Sequence, residues 1–146
     1  MTPSDPERCL TSELAATDDG GQGAGGTYFG RVVFRNISQR ICHLEGFPGL
    51  LRLDGTGQPR PTTVTRRGTK RLVTLAPGAY ASFAYSTPNA PIGNADICPT
   101  PARLEVTPPD AYDNVVVTEH MPACGPDVQV SSVFPGRINN YAEALG

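Results

Sequence analysis

The sequence predicts an all-β fold, an immunoglobulin-like β-sandwich of about seven to nine strands with two disulfides. Short alternating or β-branched segments recur with a turn signal roughly every 8–12 residues, which is the spacing of such a sandwich. Glycine and proline, at 16 and 15 of 146 residues, together far exceed their usual share of about 12%. That composition favours many short strands joined by turns, in one domain.

The clearest strand signal lies at 79–86, where alternate residues fall on opposite faces. Ala79, Ala81, Phe83 and Tyr85 share one face in this prediction, and the residues between them share the other. Six further segments have strand composition: 27–37, 50–53, 72–75, 103–109, 114–120 and 128–134.

The remaining segments are predicted to be connections and termini. We expect a tether at 1–8, a single domain over 9–136 and a tail at 137–146. Residues 9–17 suit a strand or a brief helical turn, and the glycine-rich 18–26 suits a flexible loop, since it lacks the P-loop pattern. Asp54-Gly55 predicts a turn, and 87–101 an irregular loop.

The four cysteines, Cys9, Cys42, Cys98 and Cys124, are separated by 33, 56 and 26 positions. Zinc ligands usually come in close pairs, so this spacing argues against a metal site. An even number of well-separated cysteines predicts two disulfides. Three pairings are possible, and the sequence alone does not choose among them. Pairing sequence neighbours would join Cys9 to Cys42 and Cys98 to Cys124.

The beginning of the sequence, MTPSDPER, has neither the basic nor the apolar region of a signal peptide. Disulfides form in oxidising compartments. We therefore expect an extracytoplasmic protein, secreted or anchored as a lipoprotein, whose export signal has been trimmed and replaced by Met1. No apolar run reaches the roughly 18 residues of a transmembrane helix.

The chemistry of the chain points away from catalysis and from nucleic acid. A net charge of −2, with 18% charged residues, disfavours nucleic-acid binding. Cys42 stands beside His43, but a disulfide-bonded cysteine is no nucleophile. We expect no catalytic residue, no cofactor and no metal ligand. Copper at His120 and Met121 is the metal alternative, although neighbours on a strand point to opposite faces.

One charged cluster is the candidate partner-binding site. Arg66, Arg67, Lys70 and Arg71 surround Gly68, at the tip of a predicted hairpin. Surface cations are ordinarily solvated, and a cluster of them also attracts acidic partners such as a wall polymer or a lipid headgroup.

These residues resemble a known family, the domain of unknown function 4232, which comprises actinobacterial secreted proteins and lipoproteins. The most specific element is C-x-L-x-G-[FY]-P-G, here residues 42–49, and the resemblance extends from Cys9 to about Pro135. VVFRN (32–36), VTLAPGAYASF (73–83) and RLEVTPP (103–109) also match. The resemblance implies export, two disulfides and an all-β domain, and it implies no activity.

We therefore expect a non-catalytic extracytoplasmic module that binds a protein or a cell-envelope component. The alternative is a small-ligand-binding protein for a carbohydrate, a wall polymer or copper.

Overall fold

A computed structural model describes residues 7–90 and 98–146. The tether expected at 1–8 lies mostly outside the described residues, as does the centre of the loop expected at 87–101. A 3-10 helix at Thr11–Glu13 comes first. The strands that follow are β1 Leu14–Ala24, β2 Thr27–Asn36, β3 Cys42–Glu45, β4 Gly49–Leu53, β5 Thr63–Arg67, β6 Leu72–Leu75, β7 Tyr80–Pro88, β8 Arg103–Thr107, β9 Val115–Thr118, β10 Asp127–Ser131 and β11 Phe134–Pro135, and one short helix, α1, spans Tyr141–Leu145.

These strands form three sheets. The largest has the order β1-β2-β7-β10-β5, with β11 also paired to β7; β4-β8-β9 and β3-β6 form the two others. All pairs are antiparallel except β5 and β10, which are parallel. Side chains from all three sheets, such as Phe34, Leu44 and Leu104, meet in one core. The chain is thus mostly β, as the sequence predicts.

Strand β7 is buried on both faces. Ala81, Phe83 and Tyr85 point into the main core, as the alternation predicts. Ala84, on the opposite face, packs in a second cluster with residues of the C-terminal segment, including Leu145 of α1. The C-terminal segment therefore covers the face of β7 that points away from the main core.

The glycine-rich segment 18–26 is mostly strand, so the prediction of a flexible loop is wrong. Most of it belongs to β1, which pairs with β2 from Leu14↔Asn36 to Ala24↔Thr27. The register shifts between Asp18 and Gly20, and Gly20 has φ +69°, as is common where a bulge needs a left-handed residue. Antiparallel pairing overrides the low strand propensity of glycine here.

Two disulfides join sequence neighbours, Cys9 to Cys42 and Cys98 to Cys124, with Cα–Cα distances of 4.8 Å and 4.5 Å. The first fastens the segment before β1 to the start of β3, and the second joins the segment before β8 to the one before β10. Two disulfides indicate an oxidising, extracytoplasmic environment. Within 7–90 and 98–146, no helix is long and apolar enough to cross a membrane.

Candidate functional site

The predicted cation cluster lies on a connection between two sheets. Arg66 and Arg67 end β5, which pairs with β10, whereas Lys70 and Arg71 precede β6, which pairs with β3. The predicted hairpin is therefore wrong, because β5 and β6 are not partners. We call the four exposed side chains at 66, 67, 70 and 71 the basic patch.

Two cations of the basic patch rest on aromatic rings. The guanidinium carbon of Arg66 lies 5.4 Å from the centroid of Phe47, and that of Arg71 lies 3.8 Å from the centroid of Phe134. The segments that carry the rings are joined, since Val133 N–H donates to the Gly46 carbonyl at 3.0 Å. The two rings therefore hold cations from both ends of the connection on one surface. Each such contact contributes about 0.5–1 kcal/mol at an exposed site.

The connection itself is held by hydrogen bonds. Ser132 Oγ donates to the Thr69 carbonyl at 2.8 Å, and Arg67 Nε donates to the Leu145 carbonyl at 3.4 Å. Gly68 has φ +80°, a conformation that glycine adopts without steric cost. The chain reversal that presents the cations is thus positioned by the residue that follows β10 and by α1.

Among the described residues, the cations of the basic patch form no ion pair. In the part of the chain that the structure describes, none of its four cations lies within 4.0 Å of a carboxylate. Glu45 is opposite Leu72 in the β3–β6 ladder, next to Arg71, and forms no such ion pair. Cations grouped on one surface without ion-pair partners raise the local potential and attract acidic groups.

Cys42 and His43 form no catalytic pair. Cys42 is bonded to Cys9, so it offers no thiolate. His43 lies in β3, where its backbone N–H donates to the Glu7 carbonyl and its carbonyl accepts from Cys9 N–H, both at 2.8 Å. The histidine therefore helps to dock the N-terminal segment beside the disulfide.

His120 and Met121 differ in burial. The Met121 side chain is fully buried in the main core. The exposed His120 ring places Nδ1 2.5 Å from the backbone carbonyl of Asp18. A copper ion bound by both side chains would have to join an exposed ring to a buried thioether.

The fold contains a buried ion pair that the sequence pattern does not predict. Arg52, the fourth residue of β4, has a side chain only 2% exposed, and its Nε lies 3.6 Å from Oε2 of the fully buried Glu119. Arg60 lies on the other side, with Nη1 3.9 Å from Glu119 Oε1. One feature of the sequence could have indicated this pair: an arginine lies within the otherwise apolar run 50–53. In a strand at the surface, such an arginine would face water.

Burial shifts both groups of the pair against their charged forms. It lowers the pKa of the Arg52 guanidinium and raises the pKa of the Glu119 carboxyl. Each partner's charge opposes the shift of the other. Glu119 Oε1 also accepts from Ala102 N–H at 3.3 Å. Each charge of the pair is therefore stabilised by the other in a site with little solvent.

Asp18 is a second buried carboxylate, at the β1 bulge. Its oxygens accept hydrogen bonds from four donors: Gly20 N–H at 2.9 Å, the Tyr85 hydroxyl at 2.7 Å, His120 N–H at 2.7 Å and Met121 N–H at 3.0 Å. These bonds tie the segment after β9 to β1 and β7. Asp18 is thus satisfied by its own neighbourhood.

The sequence model of one protein family, described as a domain of unknown function (DUF4232), matches residues 9–134. This span contains both disulfides and the basic patch. No curated protein and no solved structure matches the chain.

Proposed function

Because the chain belongs to the DUF4232 family of domains of unknown function, whose description states no activity, we propose a function from the site itself. The protein is a non-catalytic extracytoplasmic module, secreted or lipid-anchored, that binds an acidic protein segment through the basic patch. Its fold in this proposal is an immunoglobulin-like sandwich, in keeping with several short strands around one core.

The observation that carries the proposal is that the four cations are exposed and form no ion pair with a described carboxylate. They are exposed and lie on both sides of Gly68. No described carboxylate lies within ion-pair distance of them. Aromatic contacts and hydrogen bonds hold Arg66, Arg67 and Arg71, so less side-chain freedom is lost when a partner binds.

The position of β5 favours a protein over a polymer or a lipid. β5 is the last strand of its sheet, and Thr63 N–H donates to the carbonyl of Pro126, the residue before β10, at 2.8 Å. Because backbone groups alternate in direction along a strand, those of Val64 and Arg66 face outward. An extended acidic segment could pair with this edge and place its carboxylates near Arg66.

The test uses fluorescence anisotropy with a labelled peptide of alternating glutamate and valine. We expect saturable binding that weakens with salt. A second peptide, N-methylated at alternate residues, keeps the charge but loses strand hydrogen bonds, and we expect it to bind at least tenfold more weakly. Vesicles of phosphatidylglycerol and of phosphatidylcholine provide the lipid arm, and we expect the peptide to compete with any binding to the anionic vesicles.

The control variants carry the same change of net charge at different places. Arg66→Gln/Lys70→Gln should lose most peptide binding, whereas Arg35→Gln/Arg103→Gln, at exposed positions outside the basic patch, should retain it. Equal losses in the two variants would rule out the basic patch as the site. Equal binding of the N-methylated peptide, or binding to anionic vesicles alone, would overturn strand pairing with a protein.

A further inference from the structure

A cavity of about 380 Å³ opens beside the Cys98–Cys124 disulfide. Its walls are mostly apolar, with Pro61, Pro99, Cys124 and Pro126 among them, and two arginines, Arg52 and Arg60, also line it. This volume lies in the range of about 300–1,000 Å³ that is typical of small-molecule sites. Apolar walls with a few polar groups are also typical of such sites.

The hydrogen bonding of Arg52 is incomplete. Its Nη2 donates to Thr87 Oγ1 at 3.0 Å. Its Nε and Glu119 Oε2, 3.6 Å apart, are both buried and have no hydrogen-bond partner among the residues of 7–90 and 98–146. Leaving such groups unsatisfied is costly, and the unsatisfied donor, Nε, belongs to a guanidinium that lines the cavity.

The charges at the cavity favour an anion. Arg52 and Arg60 line it, and Glu119 is the one carboxylate of the described residues that lies within 4.0 Å of either guanidinium. Asp18 is a further buried carboxylate, but it does not line the cavity, and among the described residues no ion pair within 4.0 Å joins it to Arg52 or Arg60. The two lining guanidiniums and the one carboxylate within 4.0 Å of them leave one positive charge in excess at the cavity.

Arg60 is the group best placed to meet a ligand. Its side chain is 22% exposed, and its Nη1 donates to the Thr100 carbonyl at 3.1 Å. Among the described residues, the other N–H groups of this guanidinium form no hydrogen bond. A planar guanidinium with free donors suits a carboxylate, which can accept two parallel bonds.

We propose that this cavity binds a small organic monocarboxylate, with the carboxylate at Arg60 and Arg52 and the apolar body against Pro61, Pro99 and Pro126. A single negative charge matches the excess charge at the cavity, whereas a second would face Glu119. This site is separate from the basic patch and does not depend on the proposed partner.

The test is a titration with benzoate at constant ionic strength, followed by backbone amide chemical shifts of the intact, oxidised protein. We expect saturable shifts centred on residues 123–125. Benzamide, which has the same shape without the charge, should bind about tenfold more weakly or worse, because charge-assisted hydrogen bonds are lost. Arg60→Gln should weaken benzoate by a similar factor.

Arg103→Gln is the matched control, since it removes one exposed cation outside the cavity, and it should bind benzoate as the wild type does. Equal binding of benzoate and benzamide, unchanged affinity in Arg60→Gln, or shifts that never saturate would each overturn the proposal. Arg66→Gln/Lys70→Gln should leave benzoate binding intact, so failure of the basic-patch proposal is distinguishable from failure here.

Discussion

Tyr85 donates its hydroxyl hydrogen to Asp18 Oδ1 across 2.7 Å in the interior of the protein. The bond joins the centre of β7 to the bulge of β1, and both residues are almost fully buried. Burial, followed by the charge of Asp18, raises the pKa of the Tyr85 phenol, so the hydroxyl remains a donor.

Tyr85→Phe tests this bond. The substitution keeps the ring and removes one of four donors to a buried carboxylate, so we expect the free energy of unfolding to fall by about 1–3 kcal/mol. Urea unfolding followed by circular dichroism measures it. Tyr28→Phe is a comparison, because that hydroxyl accepts from Gly21 N–H at an exposed position; a loss as large as that of Tyr85→Phe would show that burial of Asp18 is not the cause.

Gly30→Ala tests the packing around the same ring. A Cβ atom at Gly30 would lie 2.6 Å from Cζ and Oη of Tyr85, which forces the ring or the strand to move. We expect a loss of about 1–3 kcal/mol in the free energy of unfolding. Gly55→Ala, whose Cβ would meet nothing within 4 Å, should change stability far less. Similar losses for the two variants would contradict the steric explanation.

The Arg52–Glu119 pair predicts strong non-additivity. Glu119→Leu leaves the buried Arg52 charge without its partner, and we expect a loss of about 3–5 kcal/mol. The double variant Arg52→Met/Glu119→Leu removes both charges and should be much more stable than the sum of the single losses allows. The measurement is denaturant unfolding of wild type, Arg52→Met, Glu119→Leu and the double variant. Additive losses would mean that the two charges do not compensate each other.

The ion pair between Glu13 and Arg40 should make the free energy of unfolding depend on pH in the acid range. Arg40 Nε and Nη2 donate to the two carboxylate oxygens of Glu13 at 2.6 Å and 2.7 Å, and these bonds hold the pKa of Glu13 below its usual 4.5. A carboxyl with a lowered folded pKa stabilises the protein above its unfolded pKa, and this contribution is lost as the pH falls through the folded pKa.

The measurement compares wild type and Glu13→Gln by urea unfolding from about pH 7 to about pH 2. We expect wild type to be the more stable at neutral pH, by about 1 kcal/mol or less because Arg40 is partly exposed. The difference should shrink below pH 4.5. A difference that stays constant across this range would contradict the ion-pair explanation.

Much of the local structure follows from the sequence. β-branched residues and period-2 alternation predicted the positions of β2, β4, β6 and β7 to within two or three residues, because one face of each must be apolar to reach a core. Asp54 also forms the predicted turn, where its Oδ1 accepts from Thr56 N–H and Gln58 N–H, both at 2.9 Å.

Some errors arise where pairing between distant segments overrides local preference. The glycines of 18–26 have little strand propensity, but β2 offers a continuous antiparallel partner. The basic segment around Gly68 has the composition of a hairpin tip, but β5 pairs with β10 instead, about sixty residues further along the chain. Local composition carries no information about either partner.

Asn36 shows the same limit at a single side chain. It begins an N-x-[ST] sequence, yet it is fully buried, and its Nδ2 donates to the carbonyls of Arg40 and Leu75 at 2.9 Å and 3.1 Å. The sequence pattern identifies an N-glycosylation acceptor motif. The structure shows instead that the Asn36 amide is buried and forms hydrogen bonds within the fold.

The sequence by itself determined the β-rich class, the family and the composition of the basic patch, because these depend on residue type and short-range spacing. Only the tertiary structure decided that Arg52, Arg60 and Glu119 meet beside a cavity, and that Asp18 is joined to Tyr85. Glu119 is dozens of residues from Arg52 and Arg60 in the chain, and Asp18 is dozens of residues from Tyr85. They approach one another because three sheets share one core, and buried charges must then find partners.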